Sequence, residues 1–171
     1  MTGIWRSMKQ SDLADVCQIA AICHPDFPED DAVLHEKLTL SPDTCFVWSI
    51  GKTVNGYLLT HPYTLGNIPP LNEFLGTLPS KSDTLYIHDL AILPNARQTG
   101  VGAKAVQMVL SCAKDKQLQT LSLVAVNGSM PFWQKQGFHI IEPTELIAKK
   151  LLTYSADACY MCQNVMRLDN C

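Results

Sequence analysis

Residues 85–102 read Leu-Tyr-Ile-His-Asp-Leu-Ala-Ile-Leu-Pro-Asn-Ala-Arg-Gln-Thr-Gly-Val-Gly. An apolar stretch stops at Pro94, a polar turn follows, and two spaced glycines, Gly100 and Gly102, open a helix. This layout suits an anion. The first turn of a helix has unpaired backbone N–H groups and the positive end of the dipole. Glycine lets a phosphate approach the main chain closely. Arg97 adds a fixed cation and is one of three arginines in the chain, with Arg6 and Arg167. A pyrophosphate is the group this turn would hold. Upstream, His88 supplies the side chain that exchanges protons nearest neutral pH.

Three phosphate motifs compete for this segment. A P-loop needs Gly-Lys-Ser/Thr, but Gly102 is followed by Ala-Lys-Ala. Gly100-Val-Gly102-Ala-Lys-Ala105 satisfies the dinucleotide pattern Gly-x-Gly-x-x-Gly/Ala. However, residues 94–99 separate strand from glycine, and the next strand, 121–126, ends in Asn127 with no acid to take a ribose. The third motif fits. Arg97-x-x-Gly100-x-Gly102, after Leu-Ala-Ile-Leu-Pro, resembles the acyl-CoA-binding motif of the GNAT superfamily of N-acetyltransferases. The resemblance continues through Asn127, Phe132-Trp133-x-x-x-Gly137-Phe138 and the closing segment 152–161, and spans most of residues 1–168.

The resemblance implies a single domain over residues 1–171 and acetyl-CoA as co-substrate. It implies an α/β fold: a mixed, mostly antiparallel sheet with one splayed parallel strand pair and helices on both faces. The pantetheine arm would lie in the splay, bonded by main-chain groups of Leu90, Ala91 and Ile92. Gln98, Thr99, Gly100, Val101, Gly102 and Ala103, with Arg97, would hold the pyrophosphate. Asn127 would bond the arm from the facing strand, and Trp133 lines the channel or packs in the core.

Acetyl transfer to an amine needs a proton acceptor, because an alkylammonium titrates near ~10.4 and only the neutral amine attacks. It also needs a donor to the oxyanion, a strand N–H near Leu90 or Ile92. His88 stands where related enzymes often carry Glu, and is the candidate base, with Tyr86 or a water chain as alternatives. Strand alternation places Tyr86, His88, Leu90 and Ile92 on one side and Asp89 on the other. Many relatives place a tyrosine four residues before the Gly of Gly-Phe as acid to the departing sulfur. This chain has Trp133 there, and indole is no proton donor of that kind. Tyr154 or another hydroxyl, water, or unaided departure of the thiolate remain open. Residues 26–31, Asp-Phe-Pro-Glu-Asp-Asp, read as helix-start charges. The resemblance also sets them beside the acceptor groove, where an acidic rim steers a cationic amine. The acceptor is a primary amine, of a small molecule or a protein N-terminus. A non-catalytic acetyl-CoA-binding sensor is the other reading.

The elements that position these groups follow from patterning. Residues 4–8 alternate as a first strand, and Ser11 is expected to cap a helix carrying Leu13, Val16, Cys17 and Ala20 on one face. A second helix covers 30–40, and a hairpin joins 45–50 to 55–61 through Gly51-Lys52. A long segment, 62–82, precedes the strand 84–93. The helix after the glycines carries a stripe of Gly102, Val106, Val109, Leu110 and Ala113. Strand 121–126 is almost wholly apolar, as a buried central strand requires. Helix 129–136, strand 138–141, a helical 144–152 and a last strand to Arg167 complete the order.

The chain has 171 residues, 47% hydrophobic and 17% charged, enough for one domain with a core. Net charge is −3 with no basic run, so no nucleic-acid partner is expected. No apolar run reaches the ~18 residues of a membrane span, and the N-terminus lacks a signal-peptide core, so a cytoplasmic monomer or homodimer is the expectation. Seven cysteines include one close pair, Cys159 and Cys162, which a strand would point to opposite faces. They read as reduced packing residues, with no metal site.

Overall fold

The computed structural model describes residues 2–97 and 100–165. Seven strands form one sheet in the order β1-β2-β3-β4-β5-β7-β6. They are β1 (Ile4–Ser7), β2 (Cys45–Ile50), β3 (Thr53–Tyr63), β4 (Thr84–Ile92), β5 (Thr120–Ala125), β6 (His139–Ile140) and β7 (Cys159–Asn164). Every neighbouring pair is antiparallel except β4 and β5. The crossover between that pair is α3 (Val101–Asp115).

Helices cover both faces. On one, α3 and α4 (Met130–Lys135) pack over Leu85, Ile87, Leu121 and Leu123. The buried stripe of α3 is Val101, Ala105, Val106, Val109 and Ala113; Val101 and Ala105 take the place expected for Gly102. On the other face, α1 (Leu13–Cys23) and α2 (Asp31–Leu40) bury Val16, Ile19, Leu34 and Leu38 against Val47, Tyr57 and Leu59. The last helix, α5 (Glu145–Leu152), packs Ile147 and Leu151 against Tyr86 and Tyr160. Its first turn is capped by the Thr144 hydroxyl, which accepts from Ile147 N at 3.3 Å.

Ser11 does not cap α1. It lies within a 3-10 turn, Gln10–Asp12, because both carboxylate oxygens of Asp12 are taken at 2.8 Å by the Arg6 guanidinium. That bidentate pair holds the Asp12 carboxyl below its usual range despite partial burial. The β2–β3 turn falls at Gly51 as expected, with φ +60. Six described cysteines are free; Cys159 packs beneath α3 while Cys162 contacts His139 on the opposite face. Arg167 and Cys171 lie outside the described residues.

Two irregularities shape the site. First, β4 and β5 pair only from Thr84↔Thr120 to Ile87↔Leu123, while β4 runs on to Ile92. The strands splay beyond that point. Second, Leu59 pairs with Asp89 but Thr60 pairs with Ile87, so His88 is an extra residue in β4. This β-bulge breaks the alternation that the sequence implied. His88 and Asp89 both turn toward the face of α1 and α2, whereas Leu90 packs toward α3. The expectation that Asp89 faces away from His88 is therefore wrong, and Leu90 and Ile92 do not share its side.

Candidate active site

The splay opens a cavity of about 480 Å³ between β4 and β5. Leu90, Ala91 and Ile92 form one wall, Val124 and Asn127 the other, and the start of α3 its mouth. Beyond the bulge, β4 is paired only on its β3 side, so its other edge faces the cavity. Arg97 is anchored there: its Nε donates to Ile92 O at 3.0 Å. Gly100 adopts φ +88, a conformation that disfavours any other residue. Gly102 is set close against α4, since a Cβ would stand 2.9 Å from the end of the Phe132 ring, which would have to shift. Val101 and Ala103 belong to the same helix start without lining the cavity, and Gln98 and Thr99 lie outside the described residues. Asn127 turns the chain after β5 with φ +56 and also lines the cavity.

At the inner end of the cavity stands His88, its side chain 3% exposed. Its Nε2 lies 2.6 Å from Glu29 Oε1, and Glu29 is 8% exposed. Glu29 therefore does not serve as a helix-start charge; it turns inward from the α1–α2 connection. Burial raises the Glu29 carboxyl, but the hydrogen bond and charge of His88, with Lys37 and the Asn72 N–H, outweigh this and leave it lowered. The carboxylate is thus ionised, and fixes the imidazole with Nδ1 free.

A second such pair adjoins it. His24, which ends α1, sets Nε2 2.7 Å from Asp89 Oδ1, although the N–H is poorly aligned with that oxygen. The Tyr57 hydroxyl donates to the other oxygen of Asp89. Sequence spacing gives no hint of this grouping. Residues 24, 29, 57, 88 and 89 meet only because the bulge turns two adjacent residues of β4 to one face.

A smaller cavity opens on the other side of these groups, lined by Phe27, Leu71, Tyr86 and Tyr154 with His24, Glu29, His88 and Asp89. Tyr86 is buried at its base, and burial pushes its hydroxyl well up. The Tyr154 hydroxyl donates to Pro69 O at 2.6 Å, and burial likewise raises it. Trp133 is buried between Phe132 and Phe138 in edge-to-face contacts at 4.9 and 5.4 Å, and its rim lines the larger cavity.

The model of the acetyltransferase (GNAT) family matches residues 13–138, most of the chain. This chain belongs to that family. Among solved structures, Ard1 of Thermoplasma volcanium is 18% identical at a TM-score of 0.75, covering 98% of this chain and 100% of its own. The GphF GNAT-like decarboxylase, in complex with isobutyryl-CoA, is 15% identical at 0.77, covering 95% and 100%. Naa50 of Arabidopsis thaliana, in complex with a bisubstrate analogue of CoA, is 13% identical at 0.68, covering 95% and 97%. These identities carry the fold alone. No curated protein sequence matches the chain.

Proposed function

We propose that this protein transfers an acetyl group from acetyl-CoA directly to a primary amine, with His88 as the base and Glu29 holding it. The observation that carries the reading is the junction of two cavities at His88. One, of about 480 Å³, runs along the free edge of β4 and opens at the start of α3; the other is a small, partly apolar, acid-lined pocket. Solved relatives of this fold hold CoA or acyl-CoA, which supports the same assignment of the larger cavity. The free edge of β4 at Leu90–Ile92 offers main-chain groups to the arm and an N–H to the developing oxyanion. The neutral amine attacks the thioester carbon, and His88 Nδ1 takes its proton while Glu29 stabilises the imidazolium. Much of the remaining rate comes from holding the two substrates end to end.

Turnover is read as release of free CoA thiol against a panel of small amines and peptide N-termini. His88→Ala is expected to lower kcat by about 100-fold or more, with acetyl-CoA affinity by calorimetry nearly unchanged. A variant close to the parent in rate removes His88 from the chemistry. Tight acetyl-CoA binding with no turnover on any amine favours the sensor reading, and preferential binding of NAD ends both.

A further inference from the structure

The reaction proposed above moves two protons, and His88 accounts for one. The other belongs to the departing sulfur, and the position at which many relatives carry a tyrosine holds Trp133, buried among Phe132 and Phe138. Tyr154 has its hydrogen committed to Pro69 O at 2.6 Å.

His24 meets the need that these residues leave open. Its Nε2 faces Asp89 Oδ1 at 2.7 Å, and Asp89 is fixed from behind by the Tyr57 hydroxyl, so the carboxylate has little freedom to turn away. With Nε2 turned to the Asp89 carboxylate at that distance, Nδ1 is the ring nitrogen left to face a substrate. His24 is more open than His88, at 22% against 3% side-chain exposure. It lines the coenzyme cavity and the acceptor pocket alike. The two histidines thus flank the point where the cavities join.

We infer that His24, held by Asp89, is the acid that protonates the coenzyme sulfur as the thioester breaks. The inference rests on the acetyl-transfer reading. The amine nitrogen bonds to the acetyl carbon, the carbon–sulfur bond breaks, and its electron pair stays on sulfur. The His24 Nδ1–H proton goes to that sulfur to give the thiol, and the proton lost by nitrogen goes to His88 Nδ1. His88 then gives up one proton to solvent and His24 regains one, so the cycle closes without net change.

The charges around His24 favour this state. Burial opposes its protonation, but the hydrogen bond and charge of Asp89 on β4 and the charge of Glu29 from the α1–α2 connection outweigh burial and the opposing Arg97. The net effect is a raised pKa. Asp31 of α2 adds a further carboxylate at the pocket beside it, and His88 is the other imidazole at the junction.

The test compares two donors. Acetyl-CoA leaves as an alkyl thiolate that benefits from an acid, whereas acetyl-thionitrobenzoate leaves as a stable thiolate that needs none. His24→Gln is expected to lose about 100-fold or more in kcat with acetyl-CoA, to keep most of its rate with the activated donor, and to bind acetyl-CoA like the parent. With acetyl-CoA, the parent's kcat is expected to fall on the alkaline side as His24 deprotonates, and that limb is expected to vanish in the variant. The parent's profile needs no variant, so a parent with no alkaline limb overturns the inference even if His24→Gln does not fold. Equal losses with both donors, or no loss with acetyl-CoA, also overturn it. A parent that acetylates no amine with either donor defeats the acetyl-transfer reading itself. A parent that turns over while His24→Gln matches it defeats the role of His24 alone.

Discussion

The Glu29 carboxyl is held below its usual range where burial alone would raise it, and part of the reason lies on α2. Lys37 is fully buried, and its Nζ has no hydrogen-bond partner among the described residues. Burial drives its pKa down, while the charges of Glu29, Glu36 and Cys45 push the other way. An unpaired buried ammonium is costly, roughly 1–3 kcal/mol for a lost hydrogen bond and more when charged. Its one visible return is the field it exerts on Glu29. Lys37→Met keeps an unbranched side chain, one atom shorter, and removes the charge. It is expected to raise stability in urea denaturation at pH 7 by about 1–3 kcal/mol. The gain has a pH signature. The native pKa lies below the unfolded one, so the parent recovers stability as pH climbs through the native value toward ~10.4, and the advantage of the variant shrinks there. A variant less stable than the parent at pH 7 means that Nζ is satisfied in solution.

At the scale of elements, the two glycines that open α3 are there for different reasons. Gly100 has φ +88 and no atom of the described residues within 4 Å of the place a Cβ would occupy, so the constraint they show is torsional. Gly102 has an ordinary helical backbone but faces the Phe132 ring of α4 at 2.9 Å, so its constraint is contact. Gly100→Ala is therefore expected to cost about 1–2 kcal/mol, read as a lowered melting temperature. Gly102→Ala gains about 1 kcal/mol of helix propensity and loses some of it to the displaced ring. It is expected to leave stability near the parent while weakening acetyl-CoA binding. The reverse order of stabilities would overturn both assignments. The spacing of these glycines after Pro94 was legible in the sequence, as were the strand order around β4 and β5 and the helix near 144–152. The bulge was not. Period-2 alternation is a rule for unbroken ladders, and nothing in Ile87-His88-Asp89-Leu90 marks where the extra residue falls; the register against Leu59 and Thr60 decides it. With the bulge went the partners of His88. Glu29 looked like a helix-start charge because local sequence cannot reveal a contact between positions 59 residues apart. Ser11 misled for a similar reason, since Arg6 captures Asp12 and moves the start of α1.

Across the whole molecule, the buried imidazoles pull stability in opposite directions with pH. His61 lies fully buried in β3, with Nδ1 beside Pro62 O at 3.0 Å and its ring against Tyr63 and Tyr86 at 5.2 and 5.5 Å. Burial, with lesser help from the charges of His88 and Lys37, lowers it to about 3 despite the Pro62 carbonyl. In the unfolded chain it titrates near ~6.5. Between those values the unfolded state carries the extra proton, so the contribution of neutral His61 is complete above ~6.5 and drains away as pH falls toward the native value. His24 has the reverse sign: its native pKa is raised, so its contribution is complete below ~6.5 and is lost as pH rises through the native value. The two overlap in bulk measurements, and only a difference separates them. His61→Phe keeps an aromatic ring between Tyr63 and Tyr86 and cannot take a proton. Urea denaturation of parent and variant from pH 7 down to pH 4 is expected to show the variant losing stability less steeply, by up to about 1.4 kcal/mol per pH unit for one proton. Parallel curves would mean that His61 is protonated as easily in the folded protein as in the unfolded chain, and that the sheet interior beside the bulge is open to water.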